Sequence, residues 1–382
     1  MPVKWLNKNI LLISFSAFFS DLGYQTVLAV LPVLLVIIYH APVYIYGITV
    51  AVSYGFGAIL GYLGGRLADK FGRKKVAVVG NALIPLLSFS GLTNSAYEAS
   101  ALFSAGWLSR NFRSPARKAL ISEEINEENR GRVFALLNAL DVGGGVCSIL
   151  ILLTLIYLGI SLRYIILLTA IPIVIATALL VMVKEKHNET RKVHEEASGH
   201  GAYRGVLLAT ALYGFSVYSL GFPVLTIAQA THMNVPAFAS YGLFLLASAV
   251  FGYFIGTRKL RLVPSLGFLG YLLSAIGTFM LGLSYFFRWG LPALMFSVLI
   301  IGMAIGTIDT LEPNLITQVK KQLGEGMGSL TASRSAGLFI GNLTMGFLYY
   351  FNPLYSYSYA AAASAIAAAM LFILGGKYSG LI

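Results

Sequence analysis

Charge is scarce in this 382-residue chain: only 11% of its residues are Asp, Glu, Lys or Arg, against about 25% in ordinary soluble domains. That shortage excludes a water-soluble globular protein, because most of the surface must face something other than water. There is a single cysteine, Cys147, so neither a disulfide nor a thiolate metal site forms within one chain. In its apolar stretch Cys147 is expected to be a small packing residue. Acid is scarcer than base, with 15 Asp and Glu against 27 Lys and Arg and a net charge of +12. Also missing are a nucleotide-binding loop, a zinc signature and a Ser/His/Asp arrangement with a soluble domain to hold it. No enzyme, metal or cofactor is therefore expected.

What is present is hydrocarbon. The chain is 57% hydrophobic with a mean hydropathy of +0.78, and apolar runs of roughly 20 residues, long enough to cross a bilayer core, recur throughout. Continuous runs exclude a β-barrel, whose strands alternate over short segments. The first run is too long for a signal peptide and lacks a small-residue cleavage site. The expected fold is an all-α polytopic membrane protein of about twelve helices, at 10–38, 43–65, 76–96, 99–121, 131–158, 162–183, 205–229, 236–256, 263–286, 290–317, 327–351 and 355–375.

The basic excess is a topology signal rather than a nucleic-acid surface. Lys4, Lys8, Arg130, Arg132, Lys184, Arg258, Arg261, Lys320 and Lys321 fall in alternate loops, and the other loops carry almost none, Arg163 and Arg288 being the exceptions. Cytoplasmic loops carry the excess of Lys and Arg, so both termini are expected in the cytoplasm and the chain in the cell membrane. The polar stretch 184–204 reads as a cytoplasmic linker between bundles 1–183 and 205–382. Its His187, His194 and His200 fit no metal-ligand spacing.

The halves repeat. A shift of 191 aligns Pro32-Val33-Leu34 with Pro223-Val224-Leu225, Gly23 with Gly214, Gly61 and Gly65 with Gly252 and Gly256, and Gly91 with Gly282. Further on the shift becomes 195, matching Leu120-Ile121 to Leu315-Ile316. Small residues at common positions indicate shared helix contacts.

Between the second and third runs stands Gly65-Arg66-Leu67-Ala68-Asp69-Lys70-Phe71-Gly72-Arg73-Lys74-Lys75. It is too charged for the hydrocarbon and is expected as a short loop, with Gly65 and Gly72 permitting close approach and a tight turn. Its spelling resembles the G-x-L-x-D-x-x-G-R-K/R signature of the major facilitator superfamily of transporters. The resemblance implies two parallel six-helix halves, a substrate site near the midplane, and a latch in which Asp69 joins the two bundles in the outward-open state. Gly65, Gly72, Arg73, Arg117 and Glu123 belong to that latch group. Ser114-Pro115-Ala116-Arg117-Lys118-Ala119-Leu120-Ile121 also resembles the superfamily around its fourth helix. The sequence departs from the drug-efflux branch in lacking an arginine near Phe103. It departs from the antiporter fifth-helix motif in lacking a proline by Gly143-Gly144-Gly145.

Charges inside the runs cost about 3 kcal/mol or more each unless paired or hydrated, so they mark candidate chemistry. Arg110, Arg113 and Arg117 share one face of the fourth helix. Counting residues from the adjoining turn puts Arg110 level with Asp141 and Asp309 level with Arg334, an expected pair in each half. Glu312 lies a turn from Asp309. Asp21, in an apolar run with no basic neighbour in sequence, is the first candidate for reversible protonation, ahead of Asp141, Asp309 and Glu312. Tyr24, Gln25, Tyr213, Ser216 and Tyr218 are candidate cavity-lining groups. The expectation is a secondary transporter of a small organic solute driven by a proton gradient, exporting in exchange for protons. Alternatives are proton-linked uptake or a non-transporting sensor or assembly protein of the same fold. The expected partners are the solute and the lipid bilayer, with no nucleic acid and a monomeric state.

Overall fold

The computed structural model describes residues 6–124, 129–184, 208–258, 260–319 and 323–376. Among these, all regular structure is helical. In chain order the helices are α1 (Lys8–Ile38), α2 (Val43–Phe71), α3 (Arg73–Leu92), α4 (Ala96–Glu123), α5 (Arg130–Tyr157) and α6 (Leu162–Val181). There follow α7 in two pieces (208–214 and Gly221–Thr231), α8 (Asn234–Gly256), α9 (Leu262–Phe286), α10 (Leu291–Val319), α11 (Leu323–Phe351) and α12 (Pro353–Gly376). Nine segments among the described residues are long and apolar enough to cross a membrane.

Local signals set the ends. Asn7 opens α1 by accepting the Ile10 N–H at 2.8 Å. Ser95 opens α4 by accepting the Glu98 N–H, while the Glu98 carboxylate accepts the Asn94 N–H, a near relative of the capping box. After Pro32, which cannot donate to the helical ladder, α1 continues as a π-helical stretch over Val33–Ile38.

The chain forms two compact units, one of Met1–Ala41 and Val52–Arg191, the other of Pro42–Ala51 and Lys192–Ile382. The expected linker, with its three histidines, lies almost wholly outside the described residues. In the first unit α1 packs on α5 and α6, and α4 packs on α2 and α3. Its core joins Ile10, Ile13 and Ala17 to Ala116, Leu120, Ile121, Val133 and Leu137. In the second unit α8 packs on α10, and α9 on α10 and α12. There Tyr213, Tyr271, Ile308, Leu311, Leu315 and Leu371 form one cluster.

Lipid tails are as apolar as leucine, so helices in a membrane are held by close packing rather than by escape from water. The repeated glycines are where that closeness occurs. Gly61 and Gly65 of α2 face Asn111 and Pro115 of α4, and Gly252 and Gly256 of α8 face Gly306 and Thr310 of α10. Gly91 meets α6 and Gly282 meets α12. The remaining aligned pair does not correspond: Gly23 lies against Ile173 of α6, whereas Gly214 lies against Gly337 of α11.

Three expectations change. The charged motif is helical: residues 65–71 complete α2, and the turn is Gly72 alone, at φ 101°. Helix α7 is interrupted at 215–220. The interruption is stable because Asn342 of α11 accepts the freed Ser219 N–H at 2.8 Å, satisfying backbone that lipid cannot. Pro42–Ala51, expected in the first bundle, packs in the second unit. Tyr46 hydrogen-bonds Ser219 at 2.7 Å and sets its ring against Phe222, while Gly47 abuts Gly346 so closely that an added Cβ would lie 2.7 Å from its Cα.

Candidate functional site

At the α2–α3 turn the motif makes a small ion network. Arg73 bonds the carboxylate of Glu123 on α4 and lies 3.8 Å from Asp69. Asp69 is 64% exposed. Next door Glu124 accepts from the side-chain amides of Asn7 and Asn9, both at 2.8 Å, tying the start of α1 to the end of α4. Gly65 makes only ordinary contact with Pro115, but a Cβ on its neighbour Gly64 would overlap the Phe112 carbonyl. The sequence reading singled out the first glycine and missed the second.

Inside the first unit the arginine face of α4 meets the carboxylates of α1 and α5. Arg117, not Arg110, pairs with Asp141, at 3.3 Å. The expected Arg110–Asp141 pair is absent among the described residues. The Arg110 guanidinium instead lies over the rings of Trp107 and Tyr24, 4.6 and 4.9 Å from their centroids, held by the negative faces of the rings. Arg113 is 1% exposed, and its Nε and one terminal nitrogen have no hydrogen-bond partner. Among the described residues it forms no ion pair. Trp107, against which Tyr24, Tyr54 and Phe103 also pack, was not anticipated; its single signal was its place one turn before Arg110.

Asp21 is 5% exposed on α1, its carboxylate accepting from Gln25 at 3.1 Å. It has no ion-pair partner among the described residues. Gly144 of α5 lets the helices close here: an added Cβ would overlap the Phe18 carbonyl and stand 3.2 Å from Asp21 Cβ. A turn away, Asn81 of α3 is fully buried between Ser20 and Thr177.

The second unit carries the matching but inverted arrangement. Arg334 of α11 lies 3.1 Å from Asp309 and 3.5 Å from Glu312 of α10. Glu312 is buried and accepts from Tyr271 at 2.7 Å. Arg117 and Glu312 are 195 positions apart, so the repeat places opposite charges at one point of the fold. Of the candidate lining residues, Tyr213 stacks on Tyr271 with centroids 4.4 Å apart. The Ser216 hydroxyl bonds the Tyr213 carbonyl, and that of Tyr218 meets Thr278 at 3.0 Å. Ser216 and Tyr218 lie on the interruption of α7, where a broken helix exposes polar backbone at membrane depth.

The helices carry buried charges, Gly72 turns the chain between α2 and α3, and the two units share glycine contacts; the family model of the Major Facilitator Superfamily matches residues 13–319. The chain belongs to that superfamily. Its fold is all-α and multi-pass, and the superfamily it belongs to is one of membrane transporters. An MFS-type transporter of Methanocaldococcus jannaschii, MJ1317, is 30% identical over 186 residues, which cover 47% of this chain and 46% of that protein. The chain thus spans about half the length of this curated relative. Among solved structures, a D-xylose–proton symporter superposes with a TM-score of 0.77 at 14% identity, covering 96% of this chain and 97% of that one. A mutant of the peptide transporter POT, in complex with sulfate, gives 0.75 at 12%, covering 98% and 95%. The xylose transporter XylE from E. coli, in a partially occluded inward-open conformation, gives 0.72 at 14%, covering 96% of each.

Proposed function

We propose that the chain is a proton-coupled secondary transporter of a small organic solute, working by alternating access in the cell membrane with both termini cytoplasmic. The observation that carries this is Asp21: a carboxylate buried in an apolar helix, hydrogen-bonded by a neutral amide and beside an arginine cluster whose partner is a different acid. Intramembrane acids of this kind mark proton or substrate pathways. If its hydration changes with conformation, its proton affinity changes too, and by linkage protonation shifts the conformational balance. Asp141, Asp309 and Glu312 rank behind it because each is ion-paired with an arginine.

Export in exchange for protons is the first direction; uptake with protons is the second, in keeping with the proton symporter among its structural relatives. The test uses proteoliposomes with a trapped pH dye, challenged from outside with D-xylose, uridine or dialanine, solutes of the sugar, nucleoside and peptide classes. Solute-linked acidification of the lumen signals uptake with protons, and alkalinisation signals exchange. Asp21→Asn abolishes either signal while leaving solute counterflow, which needs no net proton movement. An unchanged pH signal in Asp21→Asn removes that residue from the mechanism.

A further inference from the structure

A cavity of about 650 Å³ opens at the end of the second unit where the α7–α8, α9–α10 and α11–α12 connections meet. Two basic side chains line it, His232 and Arg288, and no carboxylate does. Arg288 is one of the two arginines that break the loop-charge pattern, and the other shows what a structural role looks like. Arg163 donates to the carbonyls of Gly91 and Thr93, the Asn94 side chain and the Tyr39 hydroxyl. The exposed guanidinium of Arg288 makes no hydrogen bond, ion pair or ring contact among the described residues. Its backbone is held at φ 55°, a left-handed conformation normally left to glycine or asparagine at a helix end.

The neutral lining groups are also donors. Ser284 Oγ is buried, its residue 1% exposed, and unpartnered. The side-chain oxygens of Gln229 and Asn352 are already taken, by the Tyr349 hydroxyl and the Leu354 N–H, both at 2.9 Å. That leaves their NH₂ groups, which only donate. Phe286 and Phe351 line the cavity, Phe287 and Trp289 flank Arg288 in sequence, and all four are half exposed or more, as aromatic rings are at the level of lipid headgroups.

We propose that this cavity binds a phosphate-bearing anion, supplied by the headgroup of an anionic lipid in the adjoining leaflet. Arg288 and His232 hold the phosphate, Ser284 and the two amides complete its hydrogen bonds, and the aromatic rim meets the glycerol and upper acyl chains. A free phosphate compound from solution has the same anionic group but no use for the rim.

The test uses the full chain in phosphatidylcholine nanodiscs with and without phosphatidylglycerol, reading retained lipid by native mass spectrometry after transfer to detergent. The variants are Arg288→Gly and His232→Asn, both suited to left-handed backbone, so the fold is kept. Wild type retains phosphatidylglycerol over phosphatidylcholine; Arg288→Gly loses about fivefold of that preference, the effect of one arginine at an anionic surface, and His232→Asn loses a smaller part of it. Millimolar inorganic phosphate neither displaces the lipid nor shifts the unfolding midpoint of delipidated protein. A phosphate-induced shift lost in both variants, without lipid preference, overturns the lipid source and keeps the phosphate site. Equal lipid retention in all three proteins with no phosphate response overturns the site.

Discussion

Arg117 reaches Asp141 because side chains on a helix lean toward its N-terminus. Helix α4 runs into the α4–α5 turn and α5 runs out of it, so Arg117 leans away from the turn while Asp141 leans back toward it. Counting residues from the turn ignores that tilt, which is why it selected Arg110, seven residues too far along the same face. The identity of the charged residues was legible in the sequence; their partners were not, since lean and ring stacking are properties of packed helices. In a double-mutant cycle, Arg117→Gln and Asp141→Asn should show coupling of about 2 kcal/mol, below the figure for a fully buried pair because Asp141 is 27% exposed. Arg110→Gln paired with Asp141→Asn should show far less coupling, checked by thermal unfolding in detergent. Arg113 behaves differently, as a buried cation without an acid of its own. Arg113→Gln should leave the unfolding midpoint unchanged or raised, whereas Arg117→Gln lowers it by stranding Asp141.

Helix positions follow from apolar runs, and most observed helices overlap their expected ranges closely. The exceptions have physical causes that composition does not carry. The interruption of α7 occurs within Phe215-Ser216-Val217-Tyr218-Ser219-Leu220, as apolar as its flanks, and depends on Asn342 more than a hundred residues away. The charged end of α2 stays helical because its outer face meets water and its inner face is glycine against α4. At this scale the decisive residue is Gly64. Gly64→Ala should push α2 from α4 and cost about 1–3 kcal/mol, while Gly65→Ala, with ordinary clearance to Pro115, should be near neutral. Thermal midpoints of the two variants, compared with wild type, decide this; equal losses would mean that the α2–α4 contact is not limited at Gly64.

The two-fold repeat, visible in glycine positions, extends to features that alignment does not reveal. His40 and His232, 192 positions apart, close α1 and α7 in the same left-handed conformation, at φ 53° and 54°. The repeat also shows where the units diverge: Asp21 aligns with Leu212, and a charge pair is inverted. Superfamily membership was readable from the motif at Asp69 and Gly72. The membership of Pro42–Ala51 in the second unit was not, because nothing in ten mostly apolar residues names the glycine they will meet.

That segment has a consequence for biosynthesis. Residues 42–51 leave the ribosome long before α7 and α11, so Tyr46 and Gly47 must wait in the bilayer until Phe222 and Gly346 have been inserted. The second unit is therefore not encoded by one continuous piece of gene. Expressed alone, 192–382 should be rapidly degraded, its Gly346 groove uncovered; co-expressed with 1–191, it should be protected. A bulky replacement at Gly47 (Gly47→Leu) should abolish that rescue in a pulse-chase experiment. A second-half fragment equally long-lived with and without its companion would show that the borrowed segment is dispensable. Division of the gene at the linker, the natural place to cut by composition, thus separates the second half from the segment that completes it.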